Sequence, residues 1–108
     1  MNDIELEFKI LKLFSKSPNF SQRKLAMKLG ISLGKANYVI KALTKLGILK
    51  LENFKRSDNK LGYLYIITPK GIARKSEVAK IFFRQKTEEY FILRKELKIL
   101  EKELNERN

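Results

Sequence analysis

The sequence predicts a mainly α-helical fold with one small β-hairpin and a long C-terminal helix. Apolar residues recur at helical spacing as far as Gly47. Two short runs rich in β-forming residues follow, ILKLE at 48–52 and YLYII at 63–67. Helical spacing then returns from Pro69 to about Glu106. A chain of 108 residues that is 44% hydrophobic can bury one small core.

Three short helices are predicted before the hairpin, each beginning after a polar capping residue. These caps are Asn2, Ser21 and Ser32. The first helix should end before Pro18, because the residue before a proline is biased away from helical geometry. Gly30 and Gly47 should end the second and third helices. Thr68 and Pro69 then form the cap and first position of the long last helix.

The stretch LAMKLGISLGKANYVIKAL, residues 25–43, has the pattern of two helices held in a fixed bend. Ala26 is small where the helices must cross closely, and Gly30 can leave the helical region to make the bend. Ile31 can fill the corner between them. This arrangement is typical of a helix-turn-helix.

The third helix, about 33–46, is predicted to be a recognition helix because its solvent-facing side is polar and cationic. A major groove admits such a helix, and Asn, Tyr and Lys side chains can read base edges there. The predicted DNA-contacting residues of this region are Ser32, Lys35, Asn37, Tyr38, Lys41 and Lys45. The alternative is an ordinary amphipathic helix pair with a solvated cationic face.

Net charge supports a polyanionic partner. The chain has 24 basic and 12 acidic residues, a formal +12, and residues 21–60 alone hold ten basic residues against two acidic ones. Nucleic acid or an anionic membrane surface would both fit this charge. No apolar run approaches the length of a membrane span, and the acidic start MNDIELEF is unlike a signal peptide, so we expect a cytoplasmic protein without a membrane partner.

Enzymatic function is not expected. The chain has no cysteine and no histidine, which removes thiolate chemistry, disulfides and the usual zinc and histidine-base sites. No paired carboxylates or nucleophile–base constellation occurs either. The sequence therefore predicts no catalytic residue, no metal site and no cofactor.

The loop between the two strands, NFKRSDNKLG at 53–62, is cationic and too long for a tight turn. Its basic residues Lys55, Arg56 and Lys60 flank a predicted turn and could contact phosphates, or place Arg56 in the minor groove. The alternative is a surface loop with incidental charge. Helix, helix, helix, strand, loop, strand, helix is the element order of a winged helix-turn-helix, in which this loop is the wing.

The last helix carries an apolar seam at heptad spacing. The predicted dimerisation residues are Phe83, Tyr90, Leu93, Leu97, Leu100 and Leu104, with Lys86 as the one polar interruption. A small domain cannot bury so long a seam, so we expect a homodimer with either parallel or antiparallel helices. The predicted division is a DNA-binding domain at 1–72 and a dimerisation helix with a coiled coil at 73–108.

From Phe20 to about Glu103 the chain resembles the MarR-type winged helix-turn-helix transcriptional regulators. The segments SLGKANYVIKALTKLGILK and YLYIITPKG, and the Tyr/Leu-rich last helix, look closest to the small members associated with exopolysaccharide gene clusters. The resemblance implies a homodimeric repressor or activator that reads a palindromic operator. Larger members often bind a phenolic effector beside the dimer interface, but no signature of such a pocket occurs in this shorter chain.

The sequence thus predicts a dimeric, sequence-specific regulator that binds double-stranded DNA. Two alternatives are a chromatin protein that binds DNA without sequence preference and a winged-helix adaptor that binds proteins. The operator, the regulated genes, the direction of regulation and any small-molecule effector are not predicted.

Overall fold

The computed structural model describes residues 1–55, 58 and 61–106. Its elements are α1 (Asp3–Lys16), α2 (Gln22–Leu29), α3 (Leu33–Lys45), β1 (Leu49–Lys55), β2 (Leu61–Ile67) and α4 (Pro69–Glu106). The two strands pair antiparallel, and the helices account for the rest of the architecture. The predicted fold class is confirmed: a mainly helical domain with a hairpin and a long C-terminal helix.

The polar caps set the starts of the first three helices as expected. Asn2 accepts a hydrogen bond from the Glu5 N–H at 2.8 Å, and Ser21 accepts one from Lys24 at 3.1 Å. Ser32 does the same for Lys35 at 3.0 Å. Each cap satisfies one N–H group that has no partner inside its helix, which is why the boundaries are readable from local sequence.

Two glycines end α2 and α3 with the same backbone geometry. Gly30 and Gly47 lie in the left-handed region, with φ of 66° and 76°. The next residue then bonds back five positions, Ile31 N–H to the Ala26 carbonyl at 3.0 Å and Ile48 N–H to Leu43 at 2.9 Å. The first reversal makes the bend of the helix-turn-helix, and the second directs the chain into β1.

The hairpin is longer than the sequence pattern predicted. The ladder runs from Leu49 opposite Ile67 to Lys55 opposite Leu61, so part of the predicted 53–62 loop is strand. Each added pair gives two backbone groups hydrogen-bond partners, which outweighs the polar character of that segment. On the inner face, Leu49 is 1% exposed, Leu51 is 43% exposed and Tyr63 is 54% exposed. The hairpin therefore leaves the core progressively, as a wing does.

The core collects apolar residues from every helix and from β1. Its fully or nearly fully buried members are Leu6, Ile10, Leu11, Phe14, Leu25, Ala26, Ala36, Ile40, Leu43, Ile48, Leu49 and Val78. Tyr65 packs against it from β2, with its ring 5.2 Å from that of Phe14 and its hydroxyl accepting a hydrogen bond from Gln22. Because α3 supplies three of the buried residues, its orientation is fixed by the core.

The first half of α4 packs along α1. Val78 is completely buried, and the rings of Phe82 and Phe8 stack at 5.5 Å. Polar contacts continue the interface to Gln85, which accepts a hydrogen bond from Asn2 at 3.0 Å. The division at residue 72 stays a prediction, but this part of α4 belongs to the same core as α1–α3.

The junction between β2 and α4 is tightly bonded to the end of α3. The Thr68 hydroxyl accepts a hydrogen bond from the Gly71 N–H at 3.0 Å and donates toward the Gly47 and Ile48 carbonyls. Lys70 Nζ donates to the Leu46 carbonyl at 2.8 Å. A methyl group on Gly71 would lie 2.2 Å from the Ile48 carbonyl oxygen, so glycine is required for this close approach.

Beyond Lys86, α4 projects away from the other elements, and the molecule is 71 Å long for a cross-section of 27 × 21 Å. Lys86 itself lies 3.6 Å from Glu5 and 3.1 Å from Glu89. The hydrogen bond to Glu89, assisted by Glu5, raises the pKa of Lys86. Among the helices of the described residues, none has an apolar stretch long enough to cross a membrane.

Candidate nucleic-acid interface

The exposed face of α3 gathers the polar residues predicted to contact DNA. Tyr38 is 69% exposed, Lys41 and Lys45 are exposed, and Asn37 is half-buried. The opposite face is held in the core by Ala36, Ile40 and Leu43. Because one side of the helix is fixed by packing, the other side is presented to solvent as a rigid polar surface.

The charge on this surface is available to a polyanion. Within the described part of the chain, neither Lys41 nor Lys45 lies within 4.0 Å of a carboxylate. A lysine without an acidic neighbour can contact a phosphate without first breaking an ion pair. The two side chains are four residues apart, on one side of the helix.

Lys35 lies at the edge of this surface rather than at its centre. Its Nζ is 4.0 Å from Asp3 of α1, and 5.9 Å from the centre of the Tyr38 ring. Sequence reasoning missed Asp3, because the two residues are far apart in the chain and come close only in the folded domain. The Asp3 side chain is almost fully exposed and that of Lys35 is about half exposed, so the contact is weak.

The first turn of α3 is open to a large ligand. Gly34 has no atom nearer than the Ser32 Oγ, 4.0 Å from where a Cβ would stand. Leu33 and Met27 are exposed apolar residues, Leu33 in this turn and Met27 on α2. Sequence reasoning omitted both, although apolar side chains at a DNA interface can contact the methyl group of thymine.

The predicted wing contacts cannot be placed. Arg56 and Lys60 lie outside the described residues, and Lys55 is described only through its backbone pairing with Leu61. Their proposed contacts with phosphate therefore stay a prediction from sequence.

The predicted dimerisation residues of α4 are all exposed in the single chain. Phe83, Tyr90, Leu93, Leu97, Leu100 and Leu104 each have more than half of their surface accessible. Other large apolar residues of the projecting segment are exposed too, namely Phe91, Ile92 and Ile99, which the heptad pattern did not include. The seam thus lies on one long face of α4, and no element among the described residues covers it.

Comparisons with known proteins support the fold. Residues 5–50 match the family described as "Winged helix-turn-helix DNA-binding", a segment that runs from α1 into β1. A search of curated proteins found no match.

Several solved structures share the architecture. The transcriptional regulator BldR from Sulfolobus solfataricus is 24% identical with a TM-score of 0.63, over 78% of this chain and 58% of that one. A MarR/EmrR family regulator from Acinetobacter sp. ADP1 is 22% identical with a TM-score of 0.55, over 85% and 71% of the two chains. Staphylococcus aureus MarR, solved with salicylate and kanamycin, is 18% identical with a TM-score of 0.51, over 76% and 53%.

This chain spans little more than half of BldR and of the Staphylococcus aureus protein. At these identities the similarity establishes the fold and not the ligand. The fold of this chain is therefore a winged helix-turn-helix domain extended by a long C-terminal helix, and its structural neighbours include transcriptional regulators, among them a MarR/EmrR family protein and Staphylococcus aureus MarR.

Proposed function

We propose that this protein is a sequence-specific DNA-binding transcriptional regulator that acts as a homodimer and has no catalytic activity. The observation that carries the proposal is the exposed face of α3. It combines an amide, a phenol and two lysines that have no carboxylate neighbour among the described residues, on a helix whose other face is buried in the core. A rigid helix of this composition has the dimensions and the donors to enter a major groove.

The residues of this face would divide into two roles. Asn37 and Tyr38 would contact base edges, because an amide can form paired hydrogen bonds to adenine and a phenol can donate and accept. Ser32, Lys35, Lys41 and Lys45 would contact the backbone beside the groove. In the wing, Lys55, Arg56 and Lys60 would neutralise phosphates or reach the minor groove.

Two copies would be needed for useful specificity. One small winged helix offers few base contacts, whereas a dimer reads two half-sites about one helical turn apart, or a multiple of it. The exposed seam of α4 is the surface that would join them. The proposal therefore includes a palindromic operator, as the sequence resemblance implies. A relation to the exopolysaccharide-associated members rests on the similarity of the sequence segments alone.

Selection of bound sites from a random pool of double-stranded DNA tests the proposal. We expect an enriched palindrome whose half-sites are spaced by about one turn. A pool that binds without enrichment would instead indicate a protein that packages DNA without sequence preference. A failure to bind DNA at all at low salt would overturn the proposal and favour an adaptor that binds proteins.

A further inference from the structure

The apolar seam of α4 continues into the part of the helix that packs on α1. Ile72, Ser76, Ala79 and Phe83 follow the same heptad spacing as Tyr90 and the leucines beyond it. Ile72 and Phe83 are exposed, since α1 covers a different side of α4, the side of Val78 and Phe82. The exposed apolar face of α4 therefore extends from Ile72 to Leu104. It includes the first half of the helix, which packs against the core on its other side.

This face carries small residues in its first half. Ser76 and Ala79 are small, and together with Phe83, Thr87 and the basic residues Lys80 and Arg84 they line an open, shallow groove of about 560 Å³. The second half of the face instead carries large residues, with leucines at 93, 97, 100 and 104. One half of α4 therefore presents small side chains where the other half presents leucines.

We propose that two copies pair through α4 in an antiparallel, staggered arrangement, in which the projecting half of each helix lies on the first half of the other. The proposal rests on the homodimer of the proposed function and specifies its geometry. In the register that fits, Leu97 lies opposite Ala79 of the second copy and Leu100 lies opposite Ser76. Leu104 then meets Ile72, Leu93 meets Phe83, and Tyr90 meets Lys86.

This register satisfies the rule for packing antiparallel helices, because every seam residue of one heptad position faces the other position on the second copy. The register sets Leu97 and Leu100 opposite the small residues Ala79 and Ser76, which line the open groove. Lys86, the polar interruption of the seam, lies opposite a tyrosine ring rather than a leucine, and its ammonium can remain hydrated at the edge of that ring.

Net charge also favours antiparallel pairing. Residues 69–86 carry six basic residues and one acidic residue, whereas residues 87–106 carry four basic and six acidic. The antiparallel arrangement sets the acidic half of one helix against the basic half of the other, with Glu103 near Lys75 of the second copy. A parallel pair would set the two basic halves together, and would also bring Glu96 near Glu101.

This register also brings two pairs of like-charged residues close together. Glu89 comes near the same residue of the second copy at the two-fold axis, but each Glu89 already accepts a hydrogen bond from its own Lys86 at 3.1 Å. Arg94 comes near Lys80 at the solvent edge of the helix pair, where screening is strong. Neither repulsion outweighs the attraction between the basic half of one helix and the acidic half of the other.

The arrangement gives the two DNA-binding units a defined separation. Val78 marks the point where the core of each unit meets α4, and in this register it lies level with Lys98 of the second copy. At ~1.5 Å per residue the two cores are then offset by about 30 Å along the helix pair. That offset is close to one turn of B-DNA, about 34 Å, so two recognition helices could reach successive major grooves on one face of a duplex.

Disulfide trapping in the full-length chain tests the register, because the protein has no cysteine of its own. Two variants, Ala79→Cys and Leu97→Cys, are mixed in equal amounts and oxidised, one carrying an affinity tag so that mixed dimers migrate separately. We expect cross-linked mixed dimers at least about tenfold in excess of either self-linked dimer, because only residues 79 and 97 of different copies face each other at disulfide distance.

Ile99→Cys mixed with Ala79→Cys is the matched control, since Ile99 is as exposed as Leu97 but lies off the seam. Efficient self-linking of Leu97→Cys would show parallel helices and overturn the register. Absence of cross-links in every mixture would overturn the pairing through this face. Binding of the reduced variants to the selected DNA is measured in parallel, so an overturned register with intact binding is distinguished from failure of the proposed function.

Discussion

Arg74 of α4 binds Glu7 of α1 through two parallel hydrogen bonds, Nε to Oε1 at 2.7 Å and Nη2 to Oε2 at 3.0 Å. The Glu7 carboxylate is mostly buried at this interface. The hydrogen bonds to Glu7 are the main cause that raises the pKa of Arg74. The pair fixes the long helix on α1, next to the completely buried Val78.

Removing Arg74 should therefore destabilise the fold. We expect Arg74→Gln to lower the free energy of unfolding by about 1–2 kcal/mol, because Glu7 is left with its charge only partly solvated. Urea unfolding followed by circular dichroism measures this. The matched control is Lys50→Gln, which breaks the exposed Lys50–Glu52 pair at 3.4 Å and should change stability by less than ~0.5 kcal/mol. Equal effects of the two substitutions would contradict the role assigned to Arg74.

Two glycines inside helices should respond oppositely to alanine. At Gly71 the added methyl group would stand 2.2 Å from a backbone oxygen, so Gly71→Ala should destabilise the protein by about 1–3 kcal/mol or more. At Gly34 the methyl group meets nothing closer than 4.0 Å, so Gly34→Ala should stabilise it by about 0.5–1 kcal/mol. Thermal unfolding of both variants measures whether each substitution raises or lowers the stability of the protein.

Gly34→Ala also probes the proposed interface. If the first turn of α3 approaches DNA closely, the more stable variant should bind the selected site more weakly. Unchanged affinity would mean that this turn stays away from the duplex. A loss of binding together with a gain in stability cannot be attributed to misfolding.

The elements that sequence predicted well are those decided within a few residues. Asn2, Ser21 and Ser32 cap their helices through bonds to N–H groups three residues away, and Gly30 and Gly47 act through their own backbone angle. The polar face of α3 was also predictable, because helical spacing alone separates Tyr38 and Lys41 from the core residues.

Contacts between segments that are distant in the sequence were not predicted. The need for glycine at 71 arises from the Ile48 carbonyl, and the contact of Lys35 with Asp3 arises from the packing of α1. Lys86 looked like a defect in a heptad seam, but in the fold it contacts Glu5 of α1. The hairpin extended further than its apolar pattern because ladder bonds do not depend on side-chain polarity. None of these contacts leaves a signal within one stretch of sequence.

Specificity should reside in Asn37 and Tyr38 and general affinity in the lysines. Replacing Asn37 or Tyr38 with Ala should cost about 1–3 kcal/mol on the selected DNA site and little on random DNA. Lys45→Ala is the contrasting variant, which should weaken binding to both DNAs and reduce the slope of log K against log salt by about 0.9. Fluorescence anisotropy over a salt series measures all three. If Asn37→Ala and Tyr38→Ala weaken binding to both DNAs equally, neither residue contributes to sequence specificity.

Asp3 should weaken DNA binding, because it lies beside Lys35 at the edge of the proposed interface and adds negative charge there. We expect Asp3→Asn to raise affinity about two- to threefold at low salt, with the gain diminishing as salt rises. Glu106→Gln removes the same charge at the far end of α4 and should have little effect. If both substitutions raise affinity equally, the gain reflects net charge and not the position of Asp3.

Dimerisation should depend on one side of α4 and not on the other. Leu97 and Ile99 are 57% and 60% exposed in the single chain, so aspartate at either position leaves the core intact. Only Leu97 belongs to the seam, however, where a second copy would bury the new carboxylate without a partner, at a cost that a helix pair of this size cannot offset. We expect Leu97→Asp to be a folded monomer and Ile99→Asp to remain a dimer by light scattering.

The monomer should lose most of its affinity for the palindromic site but keep its weak binding to random DNA, because each winged helix still presents α3. A monomeric wild type, or a Leu97→Asp variant that still dimerises, would show that the exposed seam serves another purpose.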